Sequence, residues 1–91
     1  MAITINLPSV LSRLTNGERV VTAHGATLGQ AIDDVSRRFP SLRPRLVDDA
    51  GNPYSFVTLY LNDEDVRFRG GLAAAVEDGD EVTVVPAVAG G

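Results

Sequence analysis

The end of the chain carries the group best suited to chemistry. The apolar residues Val84 to Pro86 are followed by Ala87, Val88 and Ala89, and the sequence ends on Gly90 and Gly91. Glycine has no Cβ, so it allows close approach to a surrounding surface. Residues 87–91 reach about 17 Å when fully extended. This segment could thread a narrow channel and deliver the Gly91 carboxylate into the active site of another protein.

Internal residues offer weaker chemistry. His24 is the only histidine, and no companion residues stand at the spacing of a metal site or a catalytic triad. The acidic segment 62–65 fails the calcium-loop template, because Val66 and Arg67 stand where an oxygen ligand and a glycine are required. No serine sits in a nucleophile-elbow context. We therefore predict no bound metal, and a protein that is acted on rather than an enzyme.

Composition sets further bounds. A chain of 91 residues is expected to form one domain. It has no cysteine, and its eight basic residues are all arginine, so no side chain can accept an isopeptide bond. A net charge of -4 disfavours nucleic acid and anionic membranes as partners. The amino terminus lacks a signal-peptide pattern, which favours a cytoplasmic protein.

The first half of the sequence predicts a hairpin and one helix. Ile3, Ile5 and Leu7 alternate with polar residues, and a second strand is expected at 19–23 after the turn dipeptide at 16–17. Thr27 and Gln30 match a capping box at the start of a helix that Pro40 ends. The apolar face of that helix should comprise Leu28, Ala31, Ile32, Val35 and Phe39.

The second half predicts further strands without a second long helix. After an irregular connection at 41–53, the elements expected are strands at 54–61, 66–68 and 81–86, with a helical turn at 72–76. Val57, Leu59 and Leu61 should share the inner face with Val82 and Val84. The sequence therefore predicts an α+β fold with a mixed sheet of four to five strands on one main helix. Residues 1–86 would form the domain and 87–91 a flexible tail.

The chain resembles the ubiquitin-like sulfur carriers of the ThiS/MoaD family, which have the β-grasp fold. The resemblance covers essentially the whole chain and is densest at 60–68, 70–72, 78–80 and 84–91. It implies that the last strand lies near the centre of the sheet. It also implies that an enzyme resembling the ubiquitin-activating (E1) class uses ATP to adenylate the carboxylate of Gly91, and that sulfide or an enzyme persulfide then leaves a thiocarboxylate there. The chain itself would bind no cofactor.

The resemblance leaves the sulfur acceptor open. It is greatest to an actinobacterial branch, which implies a cysteine synthase that uses pyridoxal phosphate and a zinc peptidase that releases the product. Molybdopterin synthase and enzymes that thiolate natural products are the other acceptors in the family. Two other functions remain in play: a ubiquitin-like modifier joined through Gly91 to target lysines, and a plain binding module. We expect a monomer when the chain is alone.

A docking surface is predicted on the open face of the sheet near the tail. Phe68, between Arg67 and Arg69, is the main candidate contact, and Tyr60 or Leu59 could contribute. The alternative is that Phe68 completes the small core.

Overall fold

The fold is a mixed β-sheet that holds one main helix. The structure is a computed structural model that describes residues 2–48 and 57–86. Within these residues the strands are β1 (Ala2–Asn6), β2 (Val20–His24), β3 (Val57–Leu61), β4 (Glu64–Asp65) and β5 (Glu81–Pro86). The helices are α1 (Ser9–Ser12), α2 (Leu28–Arg38) and α3 (Arg43–Leu46), and single 3₁₀ turns lie at Arg13–Thr15, Val66–Phe68 and Gly71–Ala73.

The described strands form one sheet in the order β2-β1-β5-β3-β4. β1 pairs antiparallel with β2 and parallel with β5, and β5 pairs antiparallel with β3. The last strand of the sequence is therefore the central strand of the sheet, as the family resemblance implies. This is the β-grasp arrangement, and it confirms the predicted fold class.

The main helix begins and packs as its sequence predicts. The Thr27 hydroxyl accepts a hydrogen bond from the Gln30 amide at 3.2 Å. The Gln30 side chain reaches back to the amide of Ala26 at 2.8 Å, so the helix start satisfies two backbone donors. The predicted apolar positions of α2 are buried against the sheet, except that Phe39, the residue after the helix, is only partly buried.

Alternation along the strands separates a core face from an open face. The predicted inward residues of β1, β3 and β5 are all buried, at 5% exposure or less. Their neighbours in sequence point to the other face, because successive side chains of a strand alternate. That face is exposed or half-buried throughout the described strands, which confirms the expectation of a sheet open on one side.

Three local expectations are corrected. Val66–Phe68 is a 3₁₀ turn rather than a strand, and the short strand that pairs with β3 is Glu64–Asp65 just before it. The connection after α2 contains the short helix α3, whose Pro44 lies in the first turn where a missing N–H costs nothing. The start of the strand predicted at 54–61 lies outside the described residues as far as residue 56.

Candidate functional site

The central strand determines where the tail leaves the sheet. Pro86 is the last residue of β5 and pairs with Val57 at the start of β3. On the other side, β5 pairs with β1 over Glu81 to Thr83, so it is held by neighbours on both sides. Residues 87–91 follow directly, and they lie outside the described residues. The predicted threading of Ala87, Val88, Ala89 and Gly90 and the role of Gly91 therefore stay predictions.

One row of side chains crosses the open face from edge to edge. The strand registers place Val20, Asn6, Thr83, Tyr60 and Asp65 opposite one another in that order. The Asn6 amide donates to the Thr83 hydroxyl at 3.4 Å. It also donates to a Glu81 carboxylate oxygen at 2.9 Å. The middle of the open face is therefore polar, and its apolar side chains lie around that centre.

Phe68 is exposed at the β4 edge of the sheet. The 3₁₀ turn that carries it follows β4, and 83% of Phe68 is accessible to solvent. The Asp65 side chain accepts a hydrogen bond from the Arg67 amide at 2.9 Å and so caps the turn. Val66 anchors the turn in the core at 1% exposure. The alternative that Phe68 completes the core is therefore wrong.

Both arginines beside Phe68 are already paired with carboxylates. Arg67 donates from Nη2 to Asp65 Oδ2 at 2.8 Å, and Arg69 donates from Nη1 to Glu64 Oε1 at 2.7 Å. The hydrogen bond from Arg67 lowers the pKa of Asp65 and raises that of Arg67, and Glu64 likewise raises the pKa of Arg69. The ring of Phe68 is thus flanked by neutralised pairs rather than by free positive charge.

The other two predicted docking residues have different positions. Tyr60 is half-buried on the open face, where it lies opposite Thr83 and Asp65. Leu59 is 1% exposed and belongs to the core. The prediction that Leu59 contacts a partner is wrong, because it shares the inner phase of β3 with Val57 and Leu61.

The sequence analysis missed two exposed apolar residues of the open face. Val85 is 42% exposed near the end of β5, and Val20 is 61% exposed at the start of β2. Both lie at the end of the sheet from which the tail leaves. The signal was present for Val85, because Val82 and Val84 point inward and period two sends residue 85 outward.

The described residues offer no internal site for chemistry. No pocket is found, and no group of three or more histidine, cysteine, aspartate or glutamate residues in the described ranges could hold a metal ion. The His24 side chain is 65% exposed, and its Nδ1 lies 3.6 Å from Asp34 Oδ2. No helix in the described ranges is long and apolar enough to cross a membrane.

The fold and the position of the tail define the class of protein. A sheet of ubiquitin-like β-grasp order ends its central strand a few residues before a terminal Gly-Gly, which is the arrangement of the small carriers and modifiers of that fold. A family model described as the ThiS family matches residues 5–91. The chain belongs to the ThiS family.

Individual relatives agree with this assignment. The chain is 47% identical over 93 residues to the sulfur carrier protein CysO of Mycobacterium tuberculosis, with all of both chains covered. It matches a chain of the crystal structure of the Amycolatopsis orientalis BexX/CysO complex with a TM-score of 0.92 and 48% identity, covering 98% of this chain and 99% of that one. Small archaeal modifier protein 3 of Haloferax volcanii is 36% identical over 66 residues, covering 72% of this chain and 71% of the relative.

Proposed function

We propose that the chain is a sulfur carrier whose working group is the carboxylate of Gly91. The observation that carries this proposal is the full-length similarity to a protein named as a sulfur carrier, in a chain that also ends on Gly-Gly. Support also comes from the central strand, which brings the chain to the end of the sheet at Pro86. The chain would act as a protein cosubstrate, not as a catalyst, in the cytoplasm, where ATP is available.

The proposed chemistry proceeds in two steps. A Gly91 carboxylate oxygen attacks the α-phosphorus of ATP on an E1-like enzyme, pyrophosphate leaves, and an acyl adenylate forms. The sulfur of hydrosulfide then attacks the carbonyl carbon, AMP leaves with the electron pair of the broken C–O bond, and a proton is released. The product is a thiocarboxylate. If an enzyme persulfide attacks instead, a second thiol must cleave the resulting acyl disulfide.

Mass analysis of a tail peptide tests this proposal. The last arginine is Arg69 and the chain has no lysine, so trypsin releases residues 70–91 as one peptide. Incubation with the host's activating enzyme, ATP and sulfide should exchange one oxygen for sulfur in that peptide and make it reactive to a thiol alkylating reagent. No cysteine competes for the reagent, and Met1, whose oxidation adds a similar mass, lies outside the peptide.

A matched variant separates the carboxylate from the rest of the protein. Deletion of Gly90 and Gly91 should abolish sulfur incorporation and leave the melting temperature nearly unchanged, because a chain end buries little surface. An unreactive peptide from the intact chain, under conditions in which the host enzyme activates another carrier, would contradict the proposal.

For docking on the activating enzyme we propose the open face and its β4 edge. Phe68 would insert into an apolar pocket of the partner, with Arg67, Tyr60 and Val85 beside it. The support is the high exposure of Phe68 on a turn fixed by the Asp65 cap. Phe68→Ala should reduce the adenylation rate without lowering the melting temperature, and Val10→Ala is a control at another exposed apolar residue.

For the acceptor we propose an enzyme that forms cysteine. The similarity to CysO supports a synthase that uses pyridoxal phosphate and a serine-derived acceptor, followed by a zinc peptidase. Incubating the thiocarboxylate form with the host synthase should give a carrier extended by one cysteine. If only an enzyme of natural-product thiolation or molybdopterin synthesis consumes the thiocarboxylate, the acceptor is wrong and the carrier function stands.

The alternative is a protein modifier, and the similarity to small archaeal modifier protein 3 favours it. In that case Gly91 would form amide bonds with lysines of target proteins. The chain has no lysine, so it could be attached to targets but could not extend itself through side-chain amines. Target lysines carrying residues 70–91 after tryptic digestion of the host proteome would support the modifier. Their absence, together with a reactive thiocarboxylate, would support the carrier alone.

A further inference from the structure

The outer edge of β2 is the longer of the two sheet edges in the described part of the chain. The sheet ends in β4, which has two residues, and in β2, which has five. An edge strand presents unpaired N–H and C=O groups that can pair with a strand of another molecule. β2 therefore needs something that covers these groups.

The register shows which groups of β2 face outward. The carbonyl of Arg19 accepts a hydrogen bond from the amide of Leu7 at 2.8 Å, so residue 19 faces β1. In an antiparallel pair, residues alternate between facing the neighbour and facing away. Val21 and Ala23 hence face β1, whereas Val20, Thr22 and His24 direct their backbone groups to the outer edge.

Two side chains of α2 occupy that outer edge. The His24 amide donates to Asp34 Oδ2 at 3.0 Å. Arg38 donates from Nη2 to the carbonyl of Thr22. Asp34 and Arg38 are also within 3.5 Å of each other, one helical turn apart. The helix thus supplies the acceptor and the donor that a neighbouring strand would otherwise supply.

The surroundings of Asp34 keep its carboxylate available for this contact. Arg37 Nη1 lies 3.9 Å from Asp34 Oδ1, and His24 Nδ1 lies 3.6 Å from Oδ2. Positive groups therefore lie around the carboxylate in addition to the Arg38 guanidinium. The His24 amide hydrogen bond is the largest cause of a lowered pKa at Asp34.

We propose that Asp34 and Arg38 close the β2 edge against pairing with a second copy of this chain. The edge is self-complementary, because two identical strands related by a two-fold axis pair antiparallel. A pair centred on Thr22 places Val20 of each copy opposite His24 of the other. Val20 is 61% exposed and would add apolar contact to the backbone hydrogen bonds. With the closure intact, the chain stays a monomer.

Two double variants of the full-length chain test the proposal. Asp34→Ala/Arg38→Ala opens the edge. Asp33→Ala/Arg43→Ala removes an ion pair of the same chemistry between α2 and α3, and it changes the net charge by the same amount. In sedimentation experiments at increasing concentration, the first variant should form dimers, whereas the second variant and the unchanged chain should stay monomeric. The His24 amide of the first variant should exchange hydrogen about tenfold faster at concentrations where it is still a monomer.

A third change identifies β2 as the contact. Thr22→Lys, added to the Asp34→Ala/Arg38→Ala variant, should restore the monomer, because like charges directly opposite one another destabilise a strand pair. The single variant Arg38→Ala frees only the Thr22 carbonyl and serves in the same comparison if the double variant does not fold. The proposal is overturned if the opened variant stays monomeric at every concentration, if both double variants associate equally, or if Thr22→Lys leaves the dimer intact.

Discussion

Replacing Leu59 with alanine measures the cost of disturbing the core beneath the open face. Leu59 lies at the middle of β3, pairs with Val84 and is 1% exposed. Truncation of a buried leucine removes its packing contacts and leaves a cavity, which costs about 2–5 kcal/mol. In a domain of this size each kcal/mol lowers the melting temperature by about 4–8 °C. We therefore expect a decrease of roughly 10–30 °C.

Phe68→Ala is the matched comparison. The Phe68 side chain is larger than that of Leu59, but it is 83% exposed, so its removal should change the free energy of unfolding by no more than about 0.5 kcal/mol. Both variants are followed by circular dichroism during thermal and urea unfolding. Adenylation by the host's activating enzyme is then measured at a temperature at which both variants are folded.

The two variants should show opposite effects. Leu59→Ala should lose stability and, while folded, keep its adenylation rate, whereas Phe68→Ala should keep its stability and lose adenylation. A Leu59→Ala variant that melts normally and is not adenylated would refute the burial argument. A Phe68→Ala variant that melts as low as Leu59→Ala would show that the ring packs against the domain.

Three further changes test the ends of α2. Gly25→Ala should destabilise the fold by about 1–3 kcal/mol in urea unfolding, since the added Cβ would lie 2.7 Å from the Gln30 Cβ. Thr27→Ala should cost about 1 kcal/mol by the same measurement, and Thr27→Ser should recover most of it. The pKa of Asp34 is lowered chiefly by the His24 amide, so its stabilisation is complete above the ordinary value of 3.8 and lost as the pH falls through the lower folded value. Asp34→Asn should therefore reduce the loss of stability on acidification, and equal losses in both proteins would contradict this assignment.

The sequence could predict the elements whose hydrophobic period is long enough to read. β1, α2 and β5 each repeat their inward positions several times, and burial in the structure follows that repeat. The same repeat placed Leu59 inside. The docking prediction for Leu59 failed because it rested on proximity to Phe68 and not on the phase of the strand.

Short elements were not readable in this way. Val66 and Phe68 alternate around Arg67, which is typical of a strand. In the structure, the Asp65 side chain accepts a hydrogen bond from the Arg67 amide and closes a 3₁₀ turn instead. A single side-chain cap outweighs a pattern of three residues, because so short a repeat carries little burial energy.

The partners of the charged residues could not be predicted either. In the sequence, Asp34 and Arg38 stand in the order that suits a helix dipole. Their contacts with His24 and Thr22 join residues 10 and 16 positions apart, and they depend on how the helix lies beside β2. The sequence contains the charges, but the pairing is a consequence of the packing.

Pro86 links the sheet to the proposed chemistry. A proline has no N–H, so it can close a ladder but cannot donate to its continuation. Its position opposite Val57 therefore sets the point from which the tail extends. Because residues 87–91 reach at most about 17 Å from there, a partner that engages the open face must hold its reacting centre within that distance of the end of β5. The docking surface and the carboxylate are thus constrained together, and exposed residues at the tail end of the sheet, such as Val85, are favoured as contacts over the acidic turns at the opposite end.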